Sequence, residues 1–84
     1  MERSAFKDFL EAQINGAAKQ IFDKQKADLD HIAFGKLSFL LSLRRVVDGT
    51  ATREDLGMHD AVNDVLQTLG LIDSKSTYLK MIPK

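Results

Sequence analysis

Thr50-Ala51-Thr52-Arg53-Glu54-Asp55-Leu56, then Val65-Leu66-Gln67-Thr68-Leu69-Gly70-Leu71-Ile72, then Thr77-Tyr78-Leu79-Lys80-Met81-Ile82-Pro83: the order of these three segments decides how the chain is read. Thr52 heads a capping box, because Asp55 three residues on can return a hydrogen bond to the cap backbone. Val62, Val65, Leu66 and Leu69 repeat at i, i+3, i+4 and i+7, which is the helical period. Gly70 stops that helix. Gly57-Met58-His59 either interrupts the stretch, giving helices over about 52–56 and 60–69, or lies inside one continuous helix. Past Gly70, Leu71-Ile72 reads as a minimal strand, 73–76 as a polar turn and 77–82 as a return strand. Leu79 and Met81 are expected on its inner face, Tyr78 and Ile82 on the other.

Upstream of this unit, Ile32, Ala33, Phe34, Leu37, Phe39, Leu40, Leu41, Leu43, Val46 and Val47 cover most of a helical circumference. A helix apolar nearly all round is buried nearly all round, so helix two is the expected centre of the fold. Asp28 or Asp30 can cap it, and Asp48-Gly49 ends it after Val47. Its one non-apolar strip is Gly35, Ser38, Ser42 and Arg45, which either admits a neighbouring backbone closely or faces water. Further upstream, Phe6, Leu10, Ile14, Ala17 and Ile21 make one apolar stripe and predict helix one from about residue 3 to 26. Phe9 and Phe22 lie at the margins of that stripe, either edging the core or forming part of a subunit contact.

Eighty-four residues make one domain, expected as an N-terminal amphipathic helix over 1–27 and a core over 28–84. There is no cysteine, which excludes disulfides and thiolate metal sites and suits a reducing, cytoplasmic setting. The most apolar run, 34–43, contains Lys36 and two serines and is far shorter than the roughly 20 residues of a membrane span. Nothing near residue 1 reads as a secretory or transit signal.

From about 32 to 83 the layout resembles a winged helix-turn-helix domain. The likeness is carried by the long apolar helix, the capped Thr52-Arg53-Glu54-Asp55-Leu56 segment, Val62, Val65-Leu66 and Leu69-Gly70-Leu71-Ile72, and a return segment ending at Pro83. The fold class implied is mainly α, a helical bundle with a winged-helix-like C-terminal half and a small β-hairpin. A plain helical bundle with a terminal hairpin is the competing architecture.

The resemblance implies that the helix over 60–69 enters a DNA groove, where Asn63 and Gln67 would read adenine edges. Charge opposes this. Twelve Lys+Arg balance twelve Asp+Glu overall. Between Glu54 and Leu69 stand Glu54, Asp55, Asp60 and Asp64 and no lysine or arginine. DNA affinity comes largely from neutralising phosphates, and like charge at a docking surface is costly. The expected function is therefore a non-enzymatic protein-binding module, an adaptor, inhibitor or assembly factor, forming a homodimer. Glu54, Asp55, Met58, Asp60 and Asp64 are its candidate contact residues. The alternative is a winged-helix DNA-binding regulator or DNA-packaging accessory using Arg44, Arg45, Arg53, Lys75 and Lys80. Arg44 can equally extend its stem over the core in the last turn of helix two.

Chemistry finds little footing in the chain. His31 lies near Asp28 and Asp30, and His59 follows Asp55 by four residues, but neither pair reaches the three or four ligands zinc requires. A solvated or capping histidine is the expectation for both. Glu54/Asp55 and Asp60/Asp64 fall on positions expected to be exposed, with nothing to raise a carboxyl pKa. No phosphate-binding glycine loop or nucleophile elbow is present, and no cofactor is implied.

Overall fold

The computed structural model describes residues 1–23 and 27–84. The end of helix one at Lys26 and the capping side chain of Asp28 or Asp30 fall outside what is described. Three helices follow in order, α1 (Arg3–Asp23), α2 (Ala27–Asp48) and α3 (Arg53–Thr68), and the tail carries a 3-10 turn at Tyr78–Met81. The fold is mainly helical, and α2 is the element packed against both of the others.

Helices α1 and α2 run antiparallel, since Lys7 reaches Asp48 (3.2 Å) while Glu11 meets Arg44 (2.8 Å). From this end of the hairpin the apolar stripe closes on its partner along both helices: Leu10, Ile14 and Ala17 of α1 and Ala33 and Leu43 of α2 are buried. Full burial of one such large side chain is worth about 1.5–3 kcal/mol, whereas each surface ion pair contributes about 0–1 kcal/mol. The seam, not the charges, holds the hairpin together.

Gly49 ends α2 at φ +79°, with Gly49 N–H donating to the Val46 carbonyl and Thr50 N–H to that of Arg45. This pair of hydrogen bonds to the last turn satisfies carbonyls that a helix end otherwise leaves unpaired. Thr52 then caps α3: its hydroxyl accepts from Asp55 N–H at 3.1 Å, and the Asp55 carboxylate accepts from Thr52 N–H at 2.9 Å. From there α3 runs without a break to Thr68. A mid-helix glycine costs only about 1 kcal/mol relative to alanine, so Gly57 does not divide the helix. Gly70, at φ +74°, repeats this ending, its N–H donating to the Gln67 carbonyl and that of Leu71 to the Leu66 carbonyl.

The expected hairpin is corrected. Among the described residues there is no strand, because the backbone groups a ladder would use are engaged otherwise. Tyr78 N–H donates to Asn63 Oδ1 (2.8 Å) and the Ser76 carbonyl accepts from Gln67 Nε2 (2.6 Å). Lys80 and Ile82 N–H turn back onto the Thr77 and Leu79 carbonyls. The tail is thus pinned to α3 by side chains, and no wing projects. The 3-10 turn also reverses part of the expected facing, with Met81 exposed and Tyr78, Leu79 and Ile82 half-buried.

Candidate functional site

The face α3 turns inward is polar. Asp55, His59 and Asn63, spaced i, i+4 and i+8, are its three buried residues. Val62, Leu66 and Gln67 flank them half-buried. A buried polar group is costly unless hydrogen-bonded, and each of the three has partners. Asp55 accepts from Arg45 Nε (2.7 Å) and a second guanidinium nitrogen (2.6 Å), a bidentate fork, besides closing the cap. His59 Nε2 lies 3.0 Å from the Ser42 hydroxyl, and its Nδ1 meets the Tyr78 hydroxyl. Phe39 closes on the imidazole edge to face, with centroids 5.2 Å apart. Asn63 holds the Tyr78 amide.

The strip on α2 explains this spine. Ser42 and Arg45 form the seat of α3, while Gly35 and Ser38 of the same strip remain exposed. Ser42 and His59 have 0% exposure, so the serine–histidine pair lies under protein with no approach for a substrate.

Electrostatics follow from this packing. The Arg45 guanidinium first, then the Thr52 amide, holds the Asp55 carboxyl well below the usual carboxylate range, against the opposing effect of burial. Burial pushes the His59 pKa down, and the Asp55 charge only partly offsets it. Burial likewise pushes the Tyr78 phenol up to about 12.

Several expectations are revised. Asp55 is not a surface acid but a buried partner of Arg45. His59 is neither solvated nor a cap. Asn63 and Gln67 are occupied by the tail and cannot present amides to a base edge. Arg44 grips Glu11 through both carboxylate oxygens, at 2.8 and 3.1 Å. Arg45 faces Asp55, leaving Arg53, Lys75 and Lys80 as the exposed members of the expected basic set. His31 is exposed, and no group of three metal-ligating side chains occurs among the described residues.

With polar groups inside, the apolar side chains of α3 lie outside. Val65 (55%) and Leu69 (66%), two members of the apolar helical repeat, are exposed, as is Met58. Met58, Val65 and Leu69 fall along one flank of the helix, with half-buried Val62 at its edge and exposed Leu71 beyond Gly70. Asp60 is exposed on the opposite flank, and Glu54 and Asp64 are exposed at the edge of this one. A shallow cavity of about 250 Å³ opens there between Asp64, Val65, Thr68 and Leu69. Of the expected contact residues, Glu54, Met58 and Asp64 reach this surface, Asp60 is exposed on the opposite flank and Asp55 is buried. Sequence reasoning missed the Ser42–His59–Tyr78 spine, although Asp55, His59 and Asn63 repeat at four-residue steps opposite the Ser42/Arg45 strip.

No family model, curated protein or solved structure matches this chain.

Proposed function

We propose that the chain is a small non-enzymatic protein-binding module, an adaptor, inhibitor or assembly factor of the cytoplasm. It docks polypeptide on the outer face of α3 and self-associates. One observation carries this reading: α3 buries a polar stripe, each member of it hydrogen-bonded, and leaves Met58, Val65 and Leu69 to solvent. An apolar stripe rimmed by charge is what protein contacts cover, apolar at the centre and polar at the edge. No helix among the described residues is long and apolar enough to cross a membrane.

The test is a Val65→Asp, Leu69→Asp variant. Both positions are exposed, so circular dichroism stays close to the parent and the melting temperature matches that of the dilute parent, while light scattering shows lost association and capture of protein from lysate is lost. Unchanged association and capture would remove the outer face of α3 from consideration.

A second reading, duplex DNA held by Arg53, Lys75 and Lys80, draws on the exposure of those three cations. On it, the winged-helix likeness extends to the order of α2, α3 and the returning tail. Its signature is a mobility shift that weakens steeply with salt and disappears in Lys75→Glu, Lys80→Glu.

A further inference from the structure

A second concavity lies away from the α3 stripe, where the start of α1, the end of α2 and the tail converge. It is a groove of about 690 Å³ with an apolar floor that includes Phe6, Leu43, Met81 and Ile82. Lys80 and Lys84, both exposed, stand on its rim. Lys80 Nζ is 3.3 Å from the Lys75 carbonyl, and no carboxylate pairs with either lysine among the described residues. The volume falls inside the roughly 300–1,000 Å³ typical of occupied clefts.

The α3 face carries the opposite pattern: Met58, Val65 and Leu69 with Glu54 and Asp64 at their edge, neither acid in an ion pair among the described residues. Two α3 faces set against each other would bring two carboxylates from each copy together, with only Arg53 of each to offset them. Like charges so placed disfavour a two-fold contact, whereas α3 against the lysine-rimmed groove matches apolar to apolar and acid to base.

We propose that the occupant of the groove is the outer face of α3 from a second copy of this chain, a head-to-tail contact. The proposal rests on the reading of α3 as a docking face and assigns that face its partner. Because the two halves of the contact are different surfaces, every bound copy keeps one half free. Association then continues into a ring or an open chain instead of stopping at a dimer.

Mixing two half-defective variants tests this. Val65→Asp, Leu69→Asp loses the ridge and keeps the groove; Lys80→Glu, Lys84→Glu loses the groove and keeps the ridge. All four positions are solvent-facing or half-exposed at the rim, and circular dichroism verifies that each variant is folded. Sedimentation should show the parent growing beyond dimer with concentration and each variant alone weakened at least about tenfold. The equimolar mixture should give a one-to-one heterodimer and nothing larger. A parent that stops at dimer, with no heterodimer on mixing, overturns the proposal in favour of a two-fold contact. A strictly monomeric parent overturns it too; if ridge-dependent capture of another protein persists, the docking role of α3 stands without it. Capture of another protein that is lost in Lys80→Glu, Lys84→Glu, with no self-association, gives the groove to a different occupant and also overturns it.

Discussion

His59 is the residue on which the C-terminal half converges, since it touches α2 through Ser42 and Phe39 and the tail through Tyr78. Serine and tyrosine hydroxyls each donate or accept, so the neutral ring is satisfied whichever nitrogen carries its proton. A protonated ring would keep both hydrogen bonds but bury a charge, which is why burial lowers the His59 pKa. The folded-state value lies below the unfolded one, so the unfolded chain binds the proton first as pH falls. The stabilisation from neutral His59 is complete above the unfolded value of about 6.5 and is lost progressively as pH falls through the folded one. Urea titrations from pH 8 to 5 should show midpoints falling below pH 6.5, with the slope abolished in His59→Gln. At lower pH, protonation of Asp55 releases Arg45 and removes a second contribution, because that carboxyl is also held below its ordinary value. His59→Ala should cost about 2–4 kcal/mol at pH 7.5, from the cavity and the hydroxyls left unpaired.

Between elements, the two interfaces of α2 are unlike in chemistry. Toward α1 it presents an apolar seam, and toward α3 a serine, an arginine and an aromatic ring around polar groups. Leucines of the same size should therefore behave oppositely. Leu10→Ala, in the seam at 2% exposure, should cost about 2–5 kcal/mol. Leu69→Ala, exposed on α3, should change stability by about 0.5 kcal/mol or less. Chemical denaturation of the two variants checks this, and equal losses would place Leu69 in the core after all. The α1 stripe was legible because a single apolar face at helical spacing has one place to go. The orientation of α3 was not, since its polar repeat through Asp55, His59 and Asn63 competes with its apolar repeat through Val62, Val65 and Leu69. Only the neighbouring Ser42 and Arg45 choose between the two.

Across the whole molecule, the radius of gyration is 14.2 Å, against about 12 Å for a compact domain of this length. The shape, 43 × 28 × 24 Å, reflects two long helices with a third along only part of them. Ile32 and Phe34 (65%) of α2 are exposed, so its apolar circumference exceeds what the described residues cover, and Phe22 of α1 (84%) is exposed as well. Association adds a stabilising term that grows with concentration, and the melting temperature should rise as protein concentration is raised over two orders of magnitude. A constant melting temperature would indicate that the exposed side chains stay in water.

Some features are decided locally and could be read from sequence. The Thr52/Asp55 box and the glycine stops at Gly49 and Gly70 depend on backbone groups within a few residues. The α1 stripe depends only on helical spacing. The candidate acids Glu54, Asp60 and Asp64 were legible for the same reason, as helix positions with no apolar alternative. Tertiary structure alone decided which face of α3 is inside, that Asp55 is spoken for by Arg45, and that the tail follows Asn63, Gln67 and His59 instead of pairing as strands. Those outcomes turn on whether a buried polar group finds its partner, and the partners lie 9 to 19 residues away along the chain. Hydrophobic periodicity registers only what a helix avoids, whereas a hydrogen bond depends on what stands opposite.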